Sequence, residues 1–427
     1  MPNAAKRWTV MVYLAGDNDL DEFGTVDMME MKQVGSTDDI NIVTQFDSAG
    51  PDLETRRFFL TKGTTPESLA GDVKQNLGET NTGDPKILEG FVEWAVKNYP
   101  AKHYMLVLWN HGTGWDDTNI YRTARESLRL NLTRNDLPAA RAKGRAMGTI
   151  PLSHVRQAGE GRRRRAFFRT TMEQGLQRRA ILTDDDAQDF LDSVEMKKLM
   201  LALKKKLKRK IDILGMDACL MSMVEVAYQV RGAVDITVGS EELEPGDGWP
   251  YHLILKELAA KPGMTPRDLS QTIVKKYLAS YSPTKMVTQS AFDLSHAHEL
   301  ATAVDGLGKA LKSAWPNPDE MAKIRNVHFV TQSYGRKKYV DLVDFCQKIN
   351  KVTGDRAVSA ACSAVEKAVL ESGFLIAAGF KGVNVRGSKG VSIYLPLIEL
   401  SPLYARLDFS KKTAWDEFLA AYHKGLA

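Results

Sequence analysis

The stretch IDILGMDACLMSMVEVAYQV, residues 211–230, decides the fold class. Ile211 to Met216 is a largely apolar run of the length of a buried strand, and it stops at Asp217-Ala218-Cys219. Leu220, Met223, Val224, Ala227 and Val230 then recur at helical spacing. The expectation is a strand that ends, and a helix that begins, at a cysteine. A lone cysteine there reads first as a small buried hydrophobe. The alternative is a thiol at a helix N-terminus, where free N–H groups favour the thiolate.

The same alternation extends in both directions. Residues 8–15 (WTVMVYLA), 41–47 (NIVTQFD), 103–110 (HYMLVLWN), 233–240 (AVDITVGS), 286–294 (MVTQSAFDL) and 390–397 (GVSIYLPL) read as strands. Residues 56–62 (RRFFLTK) pair near the second of them. Helical patterns cover 85–99, opened by Pro85, then 251–260 and 266–280, with helix-rich sequence later. A helix from Thr183 or Asp184 to about Lys206 is expected in TDDDAQDFLDSVEMKKLMLALKKKL. Strands alternating with helices predict a mainly parallel central sheet with helices on both faces.

The chain has 427 residues, of which 43% are hydrophobic and 26% charged, an ordinary globular balance. No apolar run approaches the roughly 18 residues of a membrane helix. Three cysteines, Cys219, Cys346 and Cys362, make no disulfide framework, and the last two read as core. The opening residues read as a first strand rather than a secretory signal, so a cytoplasmic protein with no membrane partner is expected. The net charge of +5 is unevenly spread: residues 120–180 hold 15 Lys or Arg against 4 Asp or Glu, leaving the remainder at −6.

Two predicted strands end in reactive residues, VLWNHG and ILGMDAC. Ligands collect at the carboxyl ends of strands in an open parallel sheet, and adjacent strands would bring His111 and Cys219 together. His111 would then protonate a leaving amine. The N–H groups of Gly112 and Cys219 would hold a tetrahedral oxyanion, each worth about 3 kcal/mol of transition-state stabilisation. Asp217, Glu241, Glu242, Glu244 and Asp247 would crowd the same strand ends, and an acidic pocket selects Arg or Lys. Taken singly, Glu241, Glu242 and Glu244 read as solvated loop charges.

These motifs stand in a telling order: WTVMVYLAGDNDLD, LVLWNHGTGW, ILGMDACLMSMVEVAYQV, VGSEELEPGDGWPY, YVDLVDFC and GVSIYLPL. The chain resembles the clostripain family of cysteine peptidases, in the caspase-like clan, over nearly its whole length except the basic segment. The resemblance implies a caspase-like α/β sandwich and a Cys219–His111 dyad. It also implies endopeptidase activity after basic residues, and activation by cleavage between the two catalytic residues. It places Asp217, and as a second candidate Asp247, in the specificity pocket.

The organisation that follows has four parts. Residues 1–119 and 183–294 are two parts of the peptidase domain, 120–182 a basic, mobile insertion, and 295–427 a C-terminal, helix-rich α/β extension. The insertion reads as a substrate of its own enzyme, with Arg162, Arg163, Arg164, Arg165, Arg178 and Arg179 as processing sites. Its few aromatics, Tyr121, Phe167 and Phe168, disfavour a nucleic-acid partner. The partners expected are protein or peptide substrates with Arg or Lys before the scissile bond. No metal site or cofactor is expected. Calcium at TDDDAQDFLD is the weaker reading beside a charged helix start, because the spaced loop of a calcium-binding hand is missing. The competing functions are a protease switched on by a partner or signal molecule, and a nucleic-acid-binding or scaffold protein on an inactive peptidase fold.

Overall fold

The computed structural model describes residues 5–18, 20–49, 54–115, 181–184, 189–335, 337–398 and 400–424. The six processing candidates, Arg162 to Arg165, Arg178 and Arg179, lie outside the described residues, as does nearly all of the basic insertion. In chain order the first elements are β1 (Lys6–Gly16), α1 (Asp21–Val34), β2 (Ile40–Ser48), β3 (Arg56–Phe59), β4 (Val73–Asn76), α2 (Pro85–Asn98) and β5 (Ala101–Trp109). There follow β6 (Ile181–Asp184), β7 (Asp189–Leu191), α3 (Ser193–Leu207), β8 (Ile211–Asp217), α4 (Val224–Val230), β9 (Val234–Gly239), α5 (Tyr251–Ala260) and α6 (Pro266–Ser280). The chain continues through β10 (Val287–Asp293), α7 (Ala297–Ala314), α8 (Pro318–Val330), β11 (Ser333–Tyr334), β12 (Tyr339–Asp341), α9 (Leu342–Val352) and α10 (Arg356–Leu370). It closes with β13 (Leu375–Lys381), β14 (Ser392–Tyr394) and α11 (Trp415–Lys424).

The chain divides into two compact units. The first holds residues up to Gly112, the described part of 116–192, and Pro245–Met264. Its sheet runs β5-β1-β2-β3-β4. β1 is parallel to β2 and to β5, with Trp8 opposite Ile40 and His103, while β3 and β4 return antiparallel. A parallel pair needs a crossover, and α1 supplies it between β1 and β2. Trp8 to Ala15 are buried, which is why this strand reads as an unbroken apolar run rather than an alternating one. α2 starts where its sequence says: Asp84 accepts from the Lys86 N–H at 2.9 Å and Pro85 occupies the first turn.

The second unit holds Thr113–Trp115, Ser193–Glu244 and Thr265–Ala427. Its strands follow the order β8-β9-β10-β13, with β8 and β9 parallel and β10 and β13 antiparallel. A small separate sheet, β11-β12-β14, takes the late strand, of which only Ser392–Tyr394 is extended in a ladder. α6 opens on a capping box, Thr265 with Asp268, and α9 on Asp341, whose carboxylate accepts from the Asp344 N–H at 2.7 Å. α7 packs against α10 and α11, and α9 against α10. Among the described residues no helix is long and apolar enough to cross a membrane.

Two local expectations fail. The helix expected from Thr183 starts ten residues later, at Ser193, because Ile181–Asp184 and Asp189–Leu191 pair as an antiparallel hairpin. The helix expected at Cys219 does not begin until Val224. Between them the chain turns, and its backbone is claimed by other strands: Ser222 N–H donates to Ser240 O at 2.9 Å, and Ser392 N–H to Ser222 O at 3.0 Å. A helix cannot start while those carbonyl and amide groups serve a sheet-like pairing.

Candidate active site

The thiol sits in the turn that follows β8. All seven residues of β8 are buried, Asp217 included. Leu220 adopts φ 65°, a left-handed conformation that costs a non-glycine residue energy and needs tertiary support. Support comes from the segment after β9. Leu220 N–H donates to Glu242 O at 3.3 Å, and Glu244 N–H donates to Cys219 Sγ at 3.2 Å. Cys219 Sγ also lies 3.9 Å from Glu244 O, so the thiol can donate to the carbonyl and the thiolate can accept from the amide. The helix-terminus account of Cys219 is thereby corrected: α4 does not start until Val224, and a backbone N–H from the segment after β9 reaches the sulfur.

A close approach explains one glycine of the HGTG stretch. Gly114 has φ 71°, and a Cβ there would stand 2.6 Å from Met223 Sδ and 3.0 Å from Leu220 O. Gly114 is therefore a crowded position, beside the thiol-bearing turn. Tyr339 fixes the same stretch by donating its hydroxyl to Thr113 O at 2.6 Å.

Carboxylates do gather at the thiol. Glu244 is buried, with Oε1 3.5 Å from Gln289 Nε2. The fully buried Tyr277 hydroxyl is pushed well above its ordinary range, first by burial and then by Glu244, Tyr281, Asp217 and Cys219. Asp217, Glu244 and the thiol are thus within electrostatic reach of one buried phenol. Glu241 and Glu244 are 1% and 6% exposed, which overturns their reading as solvated loop charges. Glu242 is half-buried, and burial raises its carboxyl to about 7. Asp247 is exposed, in the turn closed by Gly248 N–H on Pro245 O at 2.9 Å, and belongs to the other unit.

In the first unit, β5 delivers His111 through a turn held by side chains. Trp109 Nε1 donates to Asp27 Oδ2 on α1 at 2.7 Å. Asn110 Nδ2 donates to Ala15 O at the end of β1 at 2.6 Å, and Asn110 Oδ1 accepts from the His111 N–H. His111 is buried. The sequence reading did not single out Asn110 as a residue that holds the His111 turn, although an Asn directly before His-Gly at a strand end was the available signal.

Sequence reasoning also missed Asp341. It sits in the YVDLVDFC stretch, where the helical pattern hid a short strand and a buried carboxyl that accepts the Lys389 N–H, next to the Gly390 N–H held by Glu241. Among the described residues no group of three or more His, Cys, Asp or Glu side chains could hold a metal ion.

Comparison with known proteins agrees over nearly the full length. Clostripain of Hathewaya histolytica is 24% identical over 456 residues, covering 92% of this chain and 75% of that protein. A secreted C11 cysteine protease from Bacteroides thetaiotaomicron, solved with an irreversible peptide inhibitor, superposes with a TM-score of 0.60 at 19% identity. It covers 98% of this chain and 99% of its own. An inactive zymogen C11 protease from Parabacteroides distasonis gives a TM-score of 0.62 at 18% identity, over 97% and 99%. These likenesses establish the α/β fold of the C11 proteases. Relatives described as secreted do not support the cytoplasmic placement expected from the sequence. The Clostripain family profile matches residues 12–126 and 169–422, and the chain belongs to that family of cysteine proteases.

Proposed function

We propose that the protein is a cysteine endopeptidase that cleaves after Arg, or Lys, with Cys219 as nucleophile and His111 as its acid–base partner. The observation that carries the reading is the surroundings of Cys219 Sγ: the backbone N–H of Glu244 at 3.2 Å, with the carboxyls of Asp217 and Glu244 both buried. The thiolate attacks the carbonyl carbon, and the N–H groups of Cys219 and Gly112 take the oxyanion. His111 gives its proton to the departing amine. Water, deprotonated by His111, then hydrolyses the thioester and returns the thiol. Asp217 pairs with the guanidinium of the residue before the scissile bond, with Asp247 as a second carboxylate.

A proenzyme fits the same reading. The Arg-rich run Arg162 to Arg165 and the pair Arg178-Arg179 are tethered substrates for an Arg-selective site, which raises their effective concentration. A family relative solved as an inactive zymogen supports it. No cofactor enters this chemistry; turnover abolished by a calcium chelator and restored by calcium would overturn that.

The deciding experiment is hydrolysis of fluorogenic Arg-, Lys- and Leu-amide peptides by the wild type beside Cys219→Ala. Arg turnover that vanishes in the variant is expected, and Asp217→Asn should lose at least ~10²-fold in kcat/KM for Arg. Turnover of Leu peptides alone defeats the specificity. Mass spectrometry of the two purified proteins tests processing, since equal cleavage in Cys219→Ala would rule out self-cutting.

A further inference from the structure

We infer that Glu241 and Asp341 share one proton and, as a pair, form the positioning element of the Cys219 turn; the inference rests on Cys219 being the nucleophile. The two carboxyls are buried, at 1% and 0% exposure, and are brought together by one backbone step, accepting the N–H groups of the adjacent Gly390 and Lys389. Each already accepts backbone N–H groups. Glu241 Oε2 takes Gly390 N–H at 3.0 Å, while Asp341 takes Asp344 N–H at 2.7 Å and also Lys389 N–H. The remaining Glu241 oxygen, Oε1, is buried with no donor of its own. Two carboxyls in contact, both acting as acceptors elsewhere, can bond only when one carries a proton. A second negative charge in the same dry space would have no cation to meet it.

The neighbours are consistent with that single negative charge. Asp341 and Tyr334 act on Glu241; Glu241, Asp344, Tyr334 and the Cys346 thiol are within electrostatic reach of Asp341. The nearby Lys348 is spent on Asp344, with Nζ to Oδ2 at 2.5 Å. Tyr334 donates to Ser388 Oγ at 2.6 Å. Burial first, and then Asp341, holds the Glu241 carboxyl well above its ordinary value.

The link to the nucleophile is a short run of backbone. Glu241 and Glu242 N–H both donate to Thr288 Oγ1, at 2.9 and 3.0 Å. Glu242 O then receives Leu220 N–H, and Glu244 N–H reaches Cys219 Sγ. On the far side, Gly390 has φ 110° and a Cβ there would lie 2.6 Å from Ala378 Cβ, so its N–H is aimed by a conformation only glycine holds easily. The shared proton therefore ties three distant segments, 241–244, 339–341 and 389–390, into one support for the turn that carries the thiol. Removing the proton at alkaline pH places two carboxylates in contact and releases that support.

The test compares wild type, Glu241→Gln and Glu241→Leu as full-length protein, by hydrogen–deuterium exchange of segments 240–244 and 389–391 across pH and by hydrolysis of casein. Glutamine keeps an acceptor for Gly390 N–H and offers its own N–H to Asp341, which mimics the protonated acid at every pH. Expected are wild-type protection and kcat that fall together in the alkaline range, a Gln variant within about threefold in kcat at neutral pH that lacks the fall, and a Leu variant about tenfold lower in kcat with KM little changed. An alkaline fall in Glu241→Gln equal to that of the wild type, or a Leu variant with full kcat, overturns the inference. Should Glu241→Leu fail to fold, the pH profile of Glu241→Gln decides alone. Absence of Arg turnover would defeat the proposed specificity yet leave the exchange pattern to report on the proton.

Discussion

Cys219 and the pair Cys346 and Cys362 are equally hidden from solvent, at 4%, 0% and 0% exposure, yet their surroundings are opposite. Cys346 on α9 and Cys362 on α10 meet each other in an apolar helix–helix contact, where burial and the facing thiol push Cys346 well above its ordinary value. No chemistry is favoured there; the sulfurs pack as hydrophobes. Cys219 sits in a turn whose neighbours supply a backbone N–H at 3.2 Å and buried carboxyls. Burial alone therefore says nothing about reactivity. What differs is whether hydrogen-bonding groups converge on the sulfur, and such convergence needs buried polar groups that must themselves be satisfied.

The comparison breaks most sharply on activity. Cys219→Ala should lower peptidase turnover by roughly 10³-fold or more, whereas Cys346→Ala and Cys362→Ala keep kcat and lose only ~1–2 kcal/mol of stability to the cavity left behind. Denaturant unfolding and casein hydrolysis measure both. Strong loss of kcat in a stably folded Cys346 variant would erase the distinction.

Alkylation sharpens it further. Iodoacetamide should modify Cys219 in the native protein at least ~10²-fold faster than either helical thiol, which react only on unfolding. Peptide mapping after timed quenching reads the rates, and native labelling of Cys346 as fast as Cys219 would contradict the contrast drawn above.

The smallest effect concerns pH, and it comes from a further buried acid on the Cys219 side of the comparison. Glu225, on α4 just after the thiol turn, is fully buried and accepts Tyr394 N–H at 2.9 Å and Tyr404 hydroxyl at 3.0 Å. Burial raises its carboxyl from 4.5 to about 7. The folded form thus holds a proton that the unfolded chain releases. The stabilising contribution is complete below about pH 4.5 and lost as pH rises through about 7. Glu225→Gln should flatten that slope, by an order of ~2 kcal/mol, in urea titrations at several pH values. An unchanged slope would place the titration elsewhere.

Much of this was legible. β9, β10, α5 and α6 fall within a residue or two of the ranges read from the sequence pattern. The strand ends bearing His111 and Cys219 were visible as apolar runs broken by HG and DAC. The failures share one cause. Ile181–Asp184 became a strand, and Leu220 to Met223 became a turn, because partners remote in sequence competed for their backbone groups. Glu241 looked solvated because EELEPGDG has the composition of a loop, while its carboxyl lies against Gly390, 149 residues away.

The sequence by itself determined the family and the alternation of strands and helices, and it singled out Cys219 and His111 as candidates for thiol chemistry. Those follow from local periodicity and from side-chain types, which need no partner to be read. Only the tertiary structure decided that Cys219 lies in a turn rather than at a helix start, that Gly114 is crowded by Met223 and Leu220, and that Glu241, Glu244 and Asp341 are buried. Each of these depends on which groups exclude water from, or donate to, a given atom, and those groups come from segments that meet only when the chain is folded.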